Sequence, residues 1–441
     1  MTNLMETILI HPEPMANPHI PAGTTHLPLS DVALWTMGPV PSWYVFPGRL
    51  DVERFTQAVR KVTASWPNVC GRYVHTPEQG YSIHLTHSPI PLTVLTLSTA
   101  LDLQELDGRP TVIQPQAKLA PYIPMLEGDY HLPNVPAHLL TLQITYFPDD
   151  RCVLAVNWAH ILGDAATANT FLRDLSAAYA DDAGTASLSQ PMFFPHVDLS
   201  GTKESSKHPH QVLHQVVPTP VAEAKKAYAD SAADCTPFNI RIPMAWLQAE
   251  KKRWAEQGIR VSEQDVINGW WVELLDKMGD PVDRVIYTIS VGPPSSVAHL
   301  TMSALVLTLN QYRTFHAGSP EFPSSLPTLA SNVAQMLGIN LPASPSGSPA
   351  AMLAIRNATN DLRTSPALTL QWIARAASLI RSAADHQMCQ LVLAKPGEGI
   401  INSNLRQVHS PLPPPFSFRR TAMPMSSSST QPLDTRSQRH M

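Results

Sequence analysis

The run from Cys152 to Ala159 constrains this chain more than any other stretch, because both of its faces are apolar. Cys152, Leu154, Val156 and Trp158 alternate with Val153, Ala155, Asn157 and Ala159. That pattern suits a strand covered on both sides. A helical pattern follows at once: Ala168, Phe171, Leu172, Leu175 and Tyr179 recur at helical spacing and give one apolar face. Only His160, Ile161, Leu162, Gly163 and Asp164 lie between. Gly163 permits a tight turn out of the strand. Asp164 sits where a carboxylate would satisfy the free amides of the helix's first turn, so it reads as a brace before it reads as a catalyst. His160 has two readings. It is a satisfied histidine in a strand-to-helix turn, or it is a general base, since imidazole changes charge nearest neutral pH.

The first half carries further local signals. Asp51 is placed to cap a helix with Val52, Phe55, Val59 and Val62 inside, and Pro67 stops it. Pro91 to Ser98 and His138 to Phe147 are strand-like. Asp149-Asp150 makes a turn before the strand carrying His160, so the two strands read as a hairpin. Residues 200 to 233 are polar and lack a long apolar pattern, which predicts a linker. His208, His210 and His214 fall within it and read as solvated histidines rather than a metal site. In the second half Phe238 to Pro243 is a short strand candidate. Ser262 and Asp265 form a capping pattern ahead of Val266, Ile267, Trp270, Trp271, Leu274 and Leu275, the expected buried face, and Gly279 can end that helix. Val285 to Val291 and Met302 to Leu309 are strand candidates, and Ala350 to Arg363 and Leu368 to Ala384 are helical.

Composition excludes several functions. A net charge of -4 gives no basic field for nucleic acid or an anionic membrane. No run of about 20 apolar residues suggests a membrane span, and the first 20 residues lack the basic start of a signal peptide. Cys70, Cys152, Cys235 and Cys389 are far apart, with no metal-ligand spacing, and read as buried free thiols of a cytosolic protein. At 441 residues the chain suits two domains.

Ala159-His160-Ile161-Leu162-Gly163-Asp164-Ala165 resembles the His-x-x-x-Asp-(Gly) signature of the BAHD-type acyltransferases, and most closely their fungal relatives of secondary metabolism. Three other segments agree in order. His26-Leu27-Pro28-Leu29-Ser30-Asp31 is similar to the family's N-terminal opening. Leu50 to Tyr73 resembles its first helix, and Val261 to Leu275 its second-domain helix. The likeness spans roughly residues 24 to 310, with a fainter echo from Ile401 to Arg406. It implies an α/β fold of two chloramphenicol-acetyltransferase-like domains, with mixed sheets flanked by helices. Residues 1–199 would carry the motif, 200–235 would be a crossover linker, and 236–406 would form the second domain. Gln407 to Met441, rich in proline and serine, is expected to be a disordered tail.

The resemblance also implies a reaction. An acyl group would pass from acyl-CoA, a co-substrate rather than a bound cofactor, to a hydroxyl or amine of a small-molecule acceptor. His160 would be the base in a channel between the domains, and Asp164 and Gly163 would be structural. No metal, membrane or nucleic acid is implied, and nothing demands more than a monomer. Two departures stand out. The family's second motif, Asp-Phe-Gly-Trp-Gly, does not follow Asn402 to Arg406, and the arginine that usually braces the motif aspartate is missing near Gly292-Pro293-Pro294. Arg284 and Arg173 are substitute candidates. These departures keep open a non-catalytic paralogue, or a truncated or frame-shifted product. A peptide-forming condensation domain is a further alternative, but that class usually has two adjacent histidines, and here Ala159 precedes His160.

Overall fold

The computed structural model describes residues 4–34, 39–46, 48–101, 111–113, 120–122, 124, 132–181, 184–193, 217–233, 239–290, 329–330, 334–341, 347–364, 366–391 and 398–402. In chain order the first half holds β1 (Leu4–Ile10), β2 (His26–Pro28), β3 (Pro39–Phe46), α1 (Val52–Ser65), β4 (Arg72–Thr76), β5 (Gly80–His84) and β6 (Ile90–Thr96). There follow β7 (Thr111–Ile113), β8 (Leu140–Tyr146), β9 (Cys152–Ala159), α2 (Ala165–Ala180) and β10 (Met192–Phe193). The Asp51 carboxylate accepts from the Arg54 amide at 2.9 Å and starts α1 as expected, while Phe55, Val59 and Val62 are buried.

Five strands form the main sheet in the order β1-β6-β8-β9-β3. The β6–β8 pair is parallel and the other neighbours are antiparallel, so the sheet is mixed. β8 and β9 are the expected hairpin, and Asp150 takes a left-handed φ of 61° in the turn. Every residue of both strands is buried. One face, with Leu142, Ile144, Leu154, Val156 and Trp158, packs with α1 and with Phe171, Leu172 and Leu175 of α2 in one core. Burial on both faces is why these strands read as nearly continuous apolar runs.

The second half holds β11 (Val217–Pro220), α3 (Val221–Ala233), β12 (Asn239–Arg241), α4 (Met244–Glu256), α5 (Glu263–Lys277), β13 (Arg284–Ser290), β14 (Leu329–Ala330), β15 (Ala334–Asn340), α6 (Gly347–Thr364), α7 (Pro366–Asp385), β16 (Met388–Leu391) and β17 (Glu398–Asn402). β13 pairs antiparallel with β15 and parallel with β17, a second mixed sheet. The fold class is thus mixed α/β.

Two expectations need correction in detail. The stretch read as polar linker contains β11 and α3. That helix leaves no long apolar pattern because it buries little that is large; Ala224 is its buried apolar residue among those described. The buried face of α5 is also rotated. Asp265, Val266, Asn268, Gly269 and Val272 are buried, whereas Trp270 and Trp271 sit half-buried at the margin. Val266 packs with Leu247 and Trp254 of α4 and Met352 of α6. Ser262 and Asp265 form the expected capping box, and Gly279 follows with φ +82°. Met302 to Leu309, Gly292-Pro293-Pro294, the three linker histidines, Ser403 to Arg406 and the 407–441 tail lie outside the described residues. Among those described, no helix is long and apolar enough to cross a membrane.

Candidate active site

β9 carries its chain to Ala159, whose amide is held by the Leu139 carbonyl at 2.8 Å. The next three residues, His160 to Leu162, form a single 3-10 turn with Ile161 and Leu162 buried. The Gly163 amide closes that turn on the His160 carbonyl at 3.1 Å. Gly163 itself has φ +141° and ψ 169°, a conformation open essentially to glycine alone. Its carbonyl accepts from the Trp158 indole N–H at 3.0 Å. Trp158 lies against Phe171 of α2 at 5.5 Å between ring centroids, and Phe171 meets Trp66 edge-on at 5.7 Å. The strand end, the turn and the helix are thereby fastened together beneath His160.

Asp164 is 2% exposed. Its carboxylate oxygen Oδ1 accepts from the Thr167 amide at 3.1 Å and from the Thr167 hydroxyl at 3.4 Å, so it caps α2 as the sequence predicts. His160 is partly exposed. Burial pushes its imidazole below the ordinary value of 6.5. The Asp164 carboxylate and a hydrogen bond to His160's own backbone carbonyl oppose that shift. The ring is therefore neutral at neutral pH. One ring N–H is tied to the backbone, which leaves the other nitrogen with a lone pair to accept a proton. The structure brings His160, Gly163 and Asp164 into one turn. Arg173 sits on α2, where its guanidinium donates to Thr170 Oγ1 at 3.2 Å, and Arg284 opens β13.

The buried thiols of Cys70 and Cys152 are unsuited to nucleophilic attack. Burial pushes the Cys70 thiol up to about 12 and the Cys152 thiol up to about 11. Among the described residues no group of three His, Cys, Asp or Glu side chains is placed to hold a metal ion. Sequence reasoning missed two contributors. The Trp158 indole bond to Gly163 had no local signal beyond a tryptophan at a strand end. Asn157 did have one: it is the single amide in a strand whose other positions are apolar. Its Nδ2 donates to the Pro124 carbonyl at 2.7 Å.

Three solved structures similar to this chain define its neighbourhood. Vinorine synthase is 14% identical with a TM-score of 0.47, the match covering 90% of this chain and 83% of that one. TRI101 of F. sporotrichioides, complexed with coenzyme A and T-2, is 12% identical with a TM-score of 0.48 over 86% of this chain and 81% of that one. The first condensation domain of the CDA synthetase is 12% identical with a TM-score of 0.39 over 78% and 74%. No protein-family model and no curated protein matches the sequence.

Proposed function

We propose that this chain transfers an acyl group from acyl-CoA to a hydroxyl or amine of a small-molecule acceptor, with His160 as the general base. The observation that carries this reading is the state of the imidazole: neutral, partly exposed, and tethered through one N–H to its own carbonyl. An unactivated hydroxyl is a poor nucleophile at neutral pH. The unprotonated ring nitrogen takes its proton as the oxygen attacks the thioester carbonyl, an effect typically worth about 100- to 10,000-fold. A C–O bond forms, the C–S bond breaks, and the imidazolium returns its proton to the departing thiolate. The ring ends as it began, and no covalent enzyme intermediate is required.

Asp164 supports this chemistry indirectly. Its carboxylate is committed to the first turn of α2, so its part is to hold the turn and to favour the imidazolium that forms midway. Gly163 shapes the turn. The reading extends to domains at 1–199 and 236–406 joined through 200–235, working as a monomer in the cytoplasm.

The test is release of free coenzyme A from acyl-CoA thioesters in the presence of a panel of alcohols and amines. Wild-type protein is expected to release thiol in an acceptor-dependent way. His160→Ala is expected to lose at least about 100-fold while keeping the wild-type circular dichroism and melting. Near-normal turnover in that variant rules His160 out as the base. Silence of the wild type across donors and acceptors favours the non-catalytic reading instead.

A further inference from the structure

Among the described residues the main sheet ends in two edge strands, β1 and β3, and the two are built differently. An edge strand presents unpaired backbone N–H and C=O groups that invite a further strand. β3 carries Pro39 and Pro41, and proline cannot donate to a ladder. β1, Leu-Met-Glu-Thr-Ile-Leu-Ile, has no proline, no lysine and a single charge, Glu6. It pairs with β6 over seven consecutive positions, from Leu4 with Thr96 to Ile10 with Ile90, so no bulge turns the edge aside. Its apolar side chains lie open: Leu4 is 71% exposed, Met5 74% and Leu9 55%.

The order of residues in β1 says which strand fits that edge. About Thr7 the strand is nearly symmetric. A second copy running antiparallel, related by a two-fold axis through Thr7 and perpendicular to the sheet, sets Met5 opposite Leu9 of that copy and Leu4 opposite its Ile10. Each pair occurs twice, and Thr7 meets its own counterpart. The members of each pair are an even number of positions apart, so they share a face of the joined sheet. Ile8 and Ile10 belong to the α1/α2 core, so Leu4 of each copy extends the core of the other. Moving the axis to Ile8 would set Glu6 against Ile10 and Met5 against His11, a poorer match.

The same geometry bounds the assembly. Seven residues give an edge about 24 Å long, and an antiparallel pair of that length forms about six to eight hydrogen bonds. That contact falls short of the roughly 1,200–2,000 Å² of a stable interface, which makes the association weak and concentration-dependent. It also closes at two. Pairing uses up both β1 edges, and the outer strands of the joined sheet are then the two proline-bearing β3 strands.

We propose that β1 is a self-association edge, through which two copies of this chain join their main sheets into one. No residue of the His160 turn takes part, so the monomer remains the complete unit of the proposed reaction.

Sedimentation velocity of the full chain, from low to high micromolar concentration, measures the association. Wild type is expected to form a dimer with a Kd on the order of 10–100 µM. Met5→Lys, at a side chain already exposed, is expected to weaken that dimer by at least about tenfold, because the change falls at both ends of the contact. The melting temperature of a dilute sample is expected to stay at the wild-type value. Thr7→Cys is expected to cross-link under mild oxidation, since the residue faces its own counterpart at a Cα separation of about 4.5–5.5 Å. Met5→Cys, about 14 Å from its counterpart, is expected not to, with wild type as the blank for the native cysteines. Wild type that stays monomeric throughout, as it would if the edge were covered within the chain, overturns the proposal. So does a dimer that Met5→Lys leaves intact, or a Met5→Cys protein that cross-links as readily as Thr7→Cys.

Discussion

Replacing Gly163 with alanine is expected to damage the turn twice over. Its backbone lies at φ +141°, where an L side chain is strained by roughly 1–3 kcal/mol. The new Cβ would also stand 2.6 Å from Thr167 Cγ2, 2.7 Å from its Cβ and 2.8 Å from its Oγ1. Thr167 cannot swing aside. It is 3% exposed, and its amide and hydroxyl both bond to Asp164. Overpacking of this kind adds about 1–3 kcal/mol. A total of roughly 2–6 kcal/mol corresponds to a fall in Tm of about 5 to 20 °C for a unit of this size. Thermal unfolding by circular dichroism measures it. Thr167→Ala removes two of the three clashing atoms but keeps the Cβ. Gly163→Ala made in that background is therefore expected to cost less than in wild type, but still to destabilise. A Gly163→Ala protein that melts within about 2 °C of wild type would falsify this account of the turn.

Three other perturbations bear on the same region. Burial holds the His160 pKa below 6.5, so kcat/KM is expected to fall on the acid side with a midpoint below that value; a midpoint above 7 would assign the base elsewhere. The same shift means the unfolded chain binds the extra proton first, so His160 contributes stability above about pH 6.5 that is lost as pH drops, which melting against pH in wild type and His160→Ala tests. Asp164→Asn keeps a capping oxygen but removes the charge that raises the His160 pKa, so its acid limb is expected to move lower with little loss of Tm, whereas Asp164→Ala also loses a cap worth about 0.5–2 kcal/mol; equal melting of the two variants would show that the cap contributes nothing. Asp174→Ala strands the Trp66 indole N–H, held at 2.8 Å, and the Ser189 amide and hydroxyl, and is expected to destabilise by about 1–3 kcal/mol, with wild-type melting as the refuting result.

The legible parts of this fold are those written in neighbouring residues. The Asp51 cap, the Ser262–Asp265 box and the turn at Asp149-Asp150 each depend on a few positions in a row, and each is present. The strand at 152–159 and the helix after Asp164 follow from periodicity alone. Contacts between distant residues left no such trace. The Asn17 amide bonds the carbonyls of Ser65 and Pro191 and so joins three separate segments. Arg381 of α7 pairs with Asp31 at 2.8 Å, and Asp385 accepts from the Tyr81 hydroxyl at 3.0 Å, fixing a late helix to the first half. Ion pairs and hydroxyls of these kinds are common on any surface, so spacing alone cannot single out the ones that meet. The helix α5 shows a different failure. Size predicts that the large apolar residues are the buried ones, yet Asn268 and Gly269 are buried while Trp270 and Trp271 stay half-buried.

The site divides in the same way, and the division has a physical cause. His160, Gly163 and Asp164 lie within five residues, so the strand end, the turn and the cap that hold them are local and readable. The tuning of His160 is not local in that sense: it depends on burial in the folded chain, which pushes the imidazole down against the pull of Asp164. Pairings across the sheet are farther still from the sequence. Thr141 and Asn157 are 16 positions apart and come to stand opposite one another only through the register of the β8–β9 hairpin. A shift of one residue in that register would turn one of them onto the opposite face and dissolve the pair. The proposed base can therefore be read from the chain, whereas a pairing across the ladder exists only once the sheet has formed.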